Sequence, residues 1–414
     1  MYRILALDGG GYRGHLTAMM LGRLQECLDV EAKRQNLPPK PLHQCFDLIV
    51  GTSTGSLIAG ALARGMSTSQ IHAIYDQDAE RIFAPRNLLS VLFKALTAPL
   101  FDGGELDNVL RQYLAVTTFG EISDQPGPDI LVTAYDTYNN RPIIFGSYQE
   151  YCRGVQLFDA CMASSAYPGG FPTHFIERTQ ATESFFAHME KEHSYFSLDF
   201  SHSVSHGVDL SGIPLADGGL MAGNPAALAI AEAIQNIPAC RDIDPRRDLL
   251  VVSFGTGQMP PGVRQKAGRR MSDFSWRKLL GGPLQEMIYT GYSRCVDTLA
   301  RGFLGDKLNA EAAQMEKNQS YFRFQPVLLT EGEFSASAYV SSNSVVKITL
   351  AERKAFSVAT FQATPAVKAL FERVNTAFFD DMTAKEGAFQ ENNPSKQLAK
   401  AATLLLRQEL GRIS

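Results

Sequence analysis

The chain has 414 residues, 45% apolar and 20% charged, with a formal net charge of −4. That length can bury a full-sized core, and the slight acidity argues against nucleic acid as the main partner. No basic-then-apolar leader opens the chain and no apolar run reaches membrane-spanning length, so a cytosolic protein is expected. Cys27, Cys45, Cys152, Cys161, Cys240 and Cys295 include no C-x-x-C pair, and reduced thiols are expected rather than a disulfide framework or a zinc site.

The first element, YRILALD, reads as a buried strand that breaks into the glycines of DGGGYRG. HLTAMMLGRLQECLDVEAKR follows with helical spacing, its apolar positions being Leu16, Met19, Met20, Leu24 and Leu28. After a proline-marked loop come a second apolar strand, FDLIVG, and the helical run TSTGSLIAGALARG. Strand, helix, strand, helix in this order predicts a parallel sheet covered by helices. Residues 87–101 form an apolar segment, read as a core helix or as a flap beside a hydrophobic substrate. DILVTAYDTYN and PIIFGSY predict further strands, and QLFDACMASSAYPGGFP a helix ending in a turn. Residues 176–211 are polar and carry four of the eight histidines, and read as an excursion from the core. DLLVVSFGTG supplies another strand and glycine turn, and residues beyond about 330 are helix-like, as if capping the sheet. In 264–278 six Lys or Arg residues accompany Phe274 and Trp276, either a solvated face or a contact for anionic lipid.

Gly9, Gly11 and Gly14 satisfy G-x-G-x-x-G, a spacing that fits a dinucleotide pyrophosphate. The second strand, however, runs into Gly51-Thr52-Ser53-Thr54-Gly55, a G-x-S-x-G placed between a strand and a helix. That is the setting of a nucleophile elbow, whose serine is exposed on a sharp turn, with Gly51 and Gly55 permitting the close crossing. A Walker A loop is excluded because no Gly-Lys-Ser/Thr follows. A serine nucleophile needs backbone N–H donors for a tetrahedral oxyanion, and Gly9, Gly10 and Gly11 can present them without side chains in the way. Arg13 would support that loop or add positive field. The acidic residue that a dinucleotide site wants near the end of the second strand is replaced by the elbow, so the oxyanion reading is preferred.

A triad in the order Ser, acid, His is not available to Ser53 and Asp217, because no histidine follows His206. No H-E-x-x-H occurs and the spacing signals no metal site. A carboxylate within reach of Ser53 would serve as base directly. Asp217, in LADGG, is one candidate; Asp136, Asp159, Asp199 and Asp209 compete, and the residues alone do not choose.

Together these motifs resemble the patatin-like phospholipase family, serine lipid acyl hydrolases with a Ser–Asp dyad. DGGGYRG (8–14) is similar to its oxyanion-hole motif, GTSTG (51–55) to its elbow, ASSAYP (163–168) to a segment near its site, and DGG (217–219) to its aspartate motif. FGTG and YFRFQP (321–326) also look family-like, while YPGGFP departs from the usual stretch after the proline. The resemblance implies an α/β three-layer sandwich with a mainly parallel central sheet flanked by helices. It implies one catalytic domain over 1–414, with the motif-bearing core in about 1–330 and a C-terminal extension, 331–414, packed on it. It further implies Ser53 as nucleophile, Asp217 as base and Gly10 and Gly11 as oxyanion donors, with Gly9 and Arg13 supporting the loop. No cofactor or metal is needed. The implied partners are membrane phospholipids or galactolipids met by peripheral contact from the cytoplasm, with a small-molecule activator or homo-oligomer left open. The alternatives are an esterase or acyltransferase on other acyl esters, and a non-catalytic lipid-binding protein.

Overall fold

Strand β1, Tyr2–Leu7, decides the architecture because it is apolar on both faces. Successive side chains of a strand point to opposite sides, so Ile4 and Ala6 face one way and Leu5 and Leu7 the other. All four are fully buried. A strand covered on both faces belongs to a parallel sheet sandwiched between helical layers. The computed structural model describes residues 1–83, 99–114, 116–192, 211–259, 283–305, 319–335, 345–380 and 393–413.

In it β2 (Leu48–Thr52) and β7 (Leu249–Phe254) flank β1 in parallel, with Ile4 opposite both Leu48 and Val251. The remaining strands are β3 (Asp129–Asp136), β4 (Arg141–Gly146), β5 (His174–Glu177), β6 (Gly212–Asp217) and β8 (Tyr321–Phe324). They complete an eight-stranded sheet of order β5-β6-β3-β2-β1-β7-β8, with β4 paired to β3. The centre, β3-β2-β1-β7-β8, is parallel, and β4, β5 and β6 join antiparallel. The expected three-layer α/β sandwich with a mainly parallel sheet is thus the observed fold.

Each face has its own core. Leu5 and Leu7 pack with α1 (Gly14–Arg34) through Leu16, Met20, Leu24 and Leu28, and with α2 (Thr54–Ala63) through Ile58 and Leu62. The four α1 leucine and methionine positions repeat at one-turn spacing, which is why that stripe turns inward. On the other face Ile4, Ala6, Leu48 and Val50 meet Ala226, Ala229, Ile230 and Ala233.

The helices used below are α3 (Thr68–Gln77), α4 (Gly104–Leu114), α5 (Leu157–Ser164), α6 (Ala226–Asn236) and α7 (Pro283–Leu304). They are followed by α8 (Leu350–Val358), α9 (Pro365–Asp380) and α10 (Pro394–Ile413). The last two pack on α1, with Phe371, Leu398 and Leu405 in the same core as Leu16 and Leu24.

Of the apolar stretch 87–101, only its end is described: Leu100 and Phe101 are buried, with Phe101 stacked on Phe171 at 5.0 Å. The rest of that stretch, the basic-aromatic run 264–278, and Asp199 and Asp209 lie outside the described residues.

Candidate active site

The parallel strands β1 and β2 place the glycine loop and Ser53 at their carboxyl ends, where ligands of open α/β sheets bind, and antiparallel β6 brings Asp217 to the same end, opposite Ala134 of β3. Strand β2 ends at Thr52, and the backbone turns sharply at Ser53, which holds φ 53° and ψ −126° before α2 begins at Thr54. A positive φ at a non-glycine residue is strained and survives only when its surroundings over-determine it. They do so here. The Ser53 N–H donates to Ser164 Oγ at 2.8 Å, and the Ser53 carbonyl accepts from Ser56 N–H and Ser56 Oγ at 2.8 and 2.6 Å. The flanking glycines are required by contact: a Cβ on Gly51 would strike the Gly55–Ser56 backbone, and one on Gly55 the Leu7 and Asp8 backbone.

The loop after β1 is held through the Gly9 backbone and by two ion pairs. Asp8 is fully buried and receives a two-pronged contact from Arg323 of β8, with Nη1 2.7 Å from Oδ1 and Nη2 2.5 Å from Oδ2. The Gly9 carbonyl accepts from Thr256 Oγ1 at 3.2 Å and from Tyr289 OH of α7, and the Gly9 N–H donates to the Gly223 carbonyl at 3.0 Å. Arg13 reaches Glu286 of α7 at 3.2 Å and lies 4.5 Å above the Phe356 ring. Among the described residues the N–H groups of Gly10 and Gly11 have no hydrogen-bond partner. Gly11 sits at φ 61°, and a Cβ there would run into the Thr360 carbonyl.

Strand β6 delivers Asp217, whose N–H donates to the Ala166 carbonyl at 3.0 Å and so ties the ASSAYP and DGG stretches together. Asp217 Oδ1 accepts from Gly219 N–H and Oδ2 from Ser53 Oγ, both at 2.6 Å. Burial pushes its carboxyl up to about 7, against the opposing effect of those two hydrogen bonds. The competing aspartates have other employment. Asp136 is fully buried in the β3–β4 turn, held by Tyr138 N–H, Asn139 and Arg141, and Asp159 pairs with His174 at 2.9 Å. Ser53, Asp217 and all three glycines line one cavity of about 480 Å³. Its walls are largely apolar, with Leu57, Ile58 and Ala61 from α2, Ile71 and Ile74 from α3, and Leu110 from α4.

The fold thus brings Gly9, Gly10, Gly11, Arg13, Ser53 and Asp217 to the wall of one cavity, with Gly51 and Gly55 flanking Ser53 in the elbow. Sequence reasoning passed over Ser164, Thr256, Tyr289 and Arg323 as individual residues. Three of these lie inside stretches it had quoted, ASSAYP, FGTG and YFRFQP. Tyr289 sits in an ordinary helical run and carries no local signal.

A family model described as patatin-like phospholipase matches residues 5–230, and the chain belongs to that family. A cGAMP-activated phospholipase of Escherichia coli (strain TW11681) is 27% identical over 259 residues, 61% of this chain and 62% of that protein. The match therefore spans less than two thirds of the E. coli protein. Patatin-like protein 2 of Arabidopsis thaliana is 30% identical over 354 residues, 79% of this chain and 76% of its own length. A cGAMP-activated phospholipase of Pseudomonas aeruginosa (strain BWHPSA011 / Pa011) is 26% identical over 309 residues, 74% of this chain and 76% of its own. At family level these findings support acyl-hydrolase or phospholipase activity. No helix among the described residues is long and apolar enough to cross a membrane.

Proposed function

We propose that the protein is a phospholipase A-type lipid acyl hydrolase that forms an acyl-enzyme on Ser53. The reading rests on the 2.6 Å hydrogen bond from Ser53 Oγ to Asp217 Oδ2 in an apolar cavity. Asp217 takes the hydroxyl proton as Oγ attacks the ester carbonyl, and the Gly10 and Gly11 N–H groups receive the oxyanion. Collapse breaks the acyl–oxygen bond, and the proton passes from Asp217 to the departing lysolipid oxygen. Water, deprotonated by the same carboxylate, then attacks the acyl-enzyme and releases a fatty acid and Ser53. The route needs no metal at the reacting atoms. Loop support falls to Gly9 and Arg13. The apolar walls suit an acyl chain, and membrane phospholipid or galactolipid met by peripheral contact is the substrate class.

The test is fatty-acid release from mixed phospholipid and galactolipid vesicles by wild type, Ser53→Ala and Asp217→Asn, with and without a calcium-selective chelator. Release that survives chelation and vanishes in both variants supports the reading; release by Ser53→Ala at the wild-type rate overturns it. Because two relatives bear the name cGAMP-activated phospholipase, the assay includes a cGAMP arm, which asks whether this chain also needs an activator.

A further inference from the structure

Beside the glycine loop, where α1 meets α3, two histidines and an aspartate converge. His15 lies in the first turn of α1 and is fully buried. His72 and Asp76 lie one turn apart on α3, so both face α1. His15 Nε2 is 3.1 Å from His72 Nε2 and 3.3 Å from Asp76 Oδ1. Among the described residues this is the one group of three or more His, Cys, Asp or Glu side chains so disposed. Its spacing along the chain, 57 residues between the histidines, carries no motif.

A single imidazole nitrogen thus faces two other electron-rich atoms. As N–H it has one proton to give, and both acceptors lie within reach of it. A cation on the three lone pairs satisfies all of them together. With metal–ligand bonds of about 2.0–2.1 Å, the two separations from His15 correspond to angles of roughly 95–110° at a cation; the three ligand atoms together lie within 4.8 Å of one another, so the third pair closes by a side-chain adjustment on binding. We infer that His15, His72 and Asp76 form a site for a borderline divalent transition-metal cation, Zn²⁺ foremost, that pins α3 to the first turn of α1.

The surroundings fit that assignment. Two imidazoles and one carboxylate select zinc-like cations over Mg²⁺ and Ca²⁺, which prefer oxygen ligands. Tyr12 OH lies 3.2 Å from His15 Nδ1, the outer hydrogen bond that commonly orients a ligating imidazole. Tyr75 stacks on the His15 ring at 5.7 Å and Phe371 meets it edge-on at 6.2 Å, which keeps the ring in place. His72 Nδ1 lies 3.6 Å from Asp76 Oδ2, and the Lys368 ammonium of α9 lies 2.9 Å from Asp76 Oδ1. Lys368 is the competitor: its side chain is 39% exposed, and it swings into solvent as the cation takes over the carboxylate charge. The consequence is structural. Helix α3 also supplies Ile71, Ile74 and Tyr75 to the cavity wall, and α1 begins where the glycine loop ends, so the cation holds two sides of the cavity together.

The test uses the full chain, stripped with a chelator, supplied with Zn²⁺, freed of excess by gel filtration and counted by elemental mass spectrometry. Thermal melting is recorded in parallel. One zinc per chain is expected in wild type and in the off-site control His43→Ala, with less than a tenth of that in His72→Ala. Zinc raises the wild-type Tm and leaves that of His72→Ala unchanged. Lys368→Ala binds more tightly. His72→Gln, which keeps volume and hydrogen bonding, replaces His72→Ala should the latter misfold by circular dichroism. Failure of wild type to retain zinc overturns the inference, as does equal retention by wild type and a folded His72 variant.

Discussion

The Ser53 hydroxyl donates a 2.6 Å hydrogen bond to Oδ2 of Asp217, closing a gap of 164 residues in the chain. The other carboxylate oxygen is held by Gly219 N–H, so the acid is aimed from both ends. Under the proposed mechanism Ser53→Ala removes the nucleophile and Asp217→Asn removes the proton acceptor while keeping the shape. Each is expected to lower kcat/KM by about 10⁴-fold or more, and the double variant by scarcely more than either, because the two groups act as a unit. Steady-state rates on vesicles check this, with fluorophosphonate labelling of wild type and Asp217→Asn as a second readout. Additive losses in the double variant would argue against a dyad.

The Asp217 carboxyl, pushed up to about 7 by burial, gives the proposed reaction a pH signature. A general base acts when deprotonated, so kcat/KM rises through an apparent pKa near 7 and then levels. Stability runs the opposite way. At pH well below the ordinary carboxylate range the group is protonated in both states. Between that range and about 7 the unfolded chain has lost the proton and the native chain still holds it. The native state then binds more protons, so raising pH lowers this group's contribution to stability until about 7, above which the cost is constant. Asp217→Asn removes the cost. Its Tm gain over wild type is expected to be larger at pH 8 than at pH 5, and a gain independent of pH would show that the carboxyl is not raised.

What was legible in the sequence was local. FDLIV followed by GTSTG and SLIAGALA reads as strand, turn and helix, and Ser53 does stand between β2 and α2. The stripe from Leu16 to Leu28 is likewise the buried face of α1. The residue types alone do not choose between Asp217 and Asp136, both at strand ends before turns, and only the likeness of DGG (217–219) to the family's aspartate motif favours the former. The difference is a tertiary one: β6 brings Asp217 against β3 at Ala134, whereas Asp136 is consumed by its own turn. Tyr289 was out of reach for the same reason, because a helical tyrosine acquires its role only when α7 crosses the glycine loop.

Arg323 and Asp8 make the loop depend on β8, well outside residues 5–230. Asp8 is fully buried, and removing its partner leaves an uncompensated charge, for which a loss of about 3–5 kcal/mol is typical. Arg323→Ala is expected to show that loss in urea unfolding. Arg323→Lys keeps the charge but not the two-pronged geometry, and is expected to fall between the two. Wild-type stability in Arg323→Ala would mean that the pair does not secure the loop.

The cavity walls should set the length of the acyl group. Ala61 lies on α2 two turns beyond Ser53, is buried, and lines the cavity together with side chains of α4. A phenyl ring there would occupy space that a long chain needs, without touching Ser53, Asp217 or the glycine loop. Pockets of this kind discriminate by about 1–3 kcal/mol per methylene lost or gained. Ala61→Phe is therefore expected to lower kcat/KM for long-chain esters at least ~10-fold relative to short-chain esters, with short-chain turnover close to wild type. Matched nitrophenyl esters of graded length measure the ratio directly. An unchanged ratio would place the acyl chain along another wall, whereas an equal loss on all esters would indicate damage to the fold.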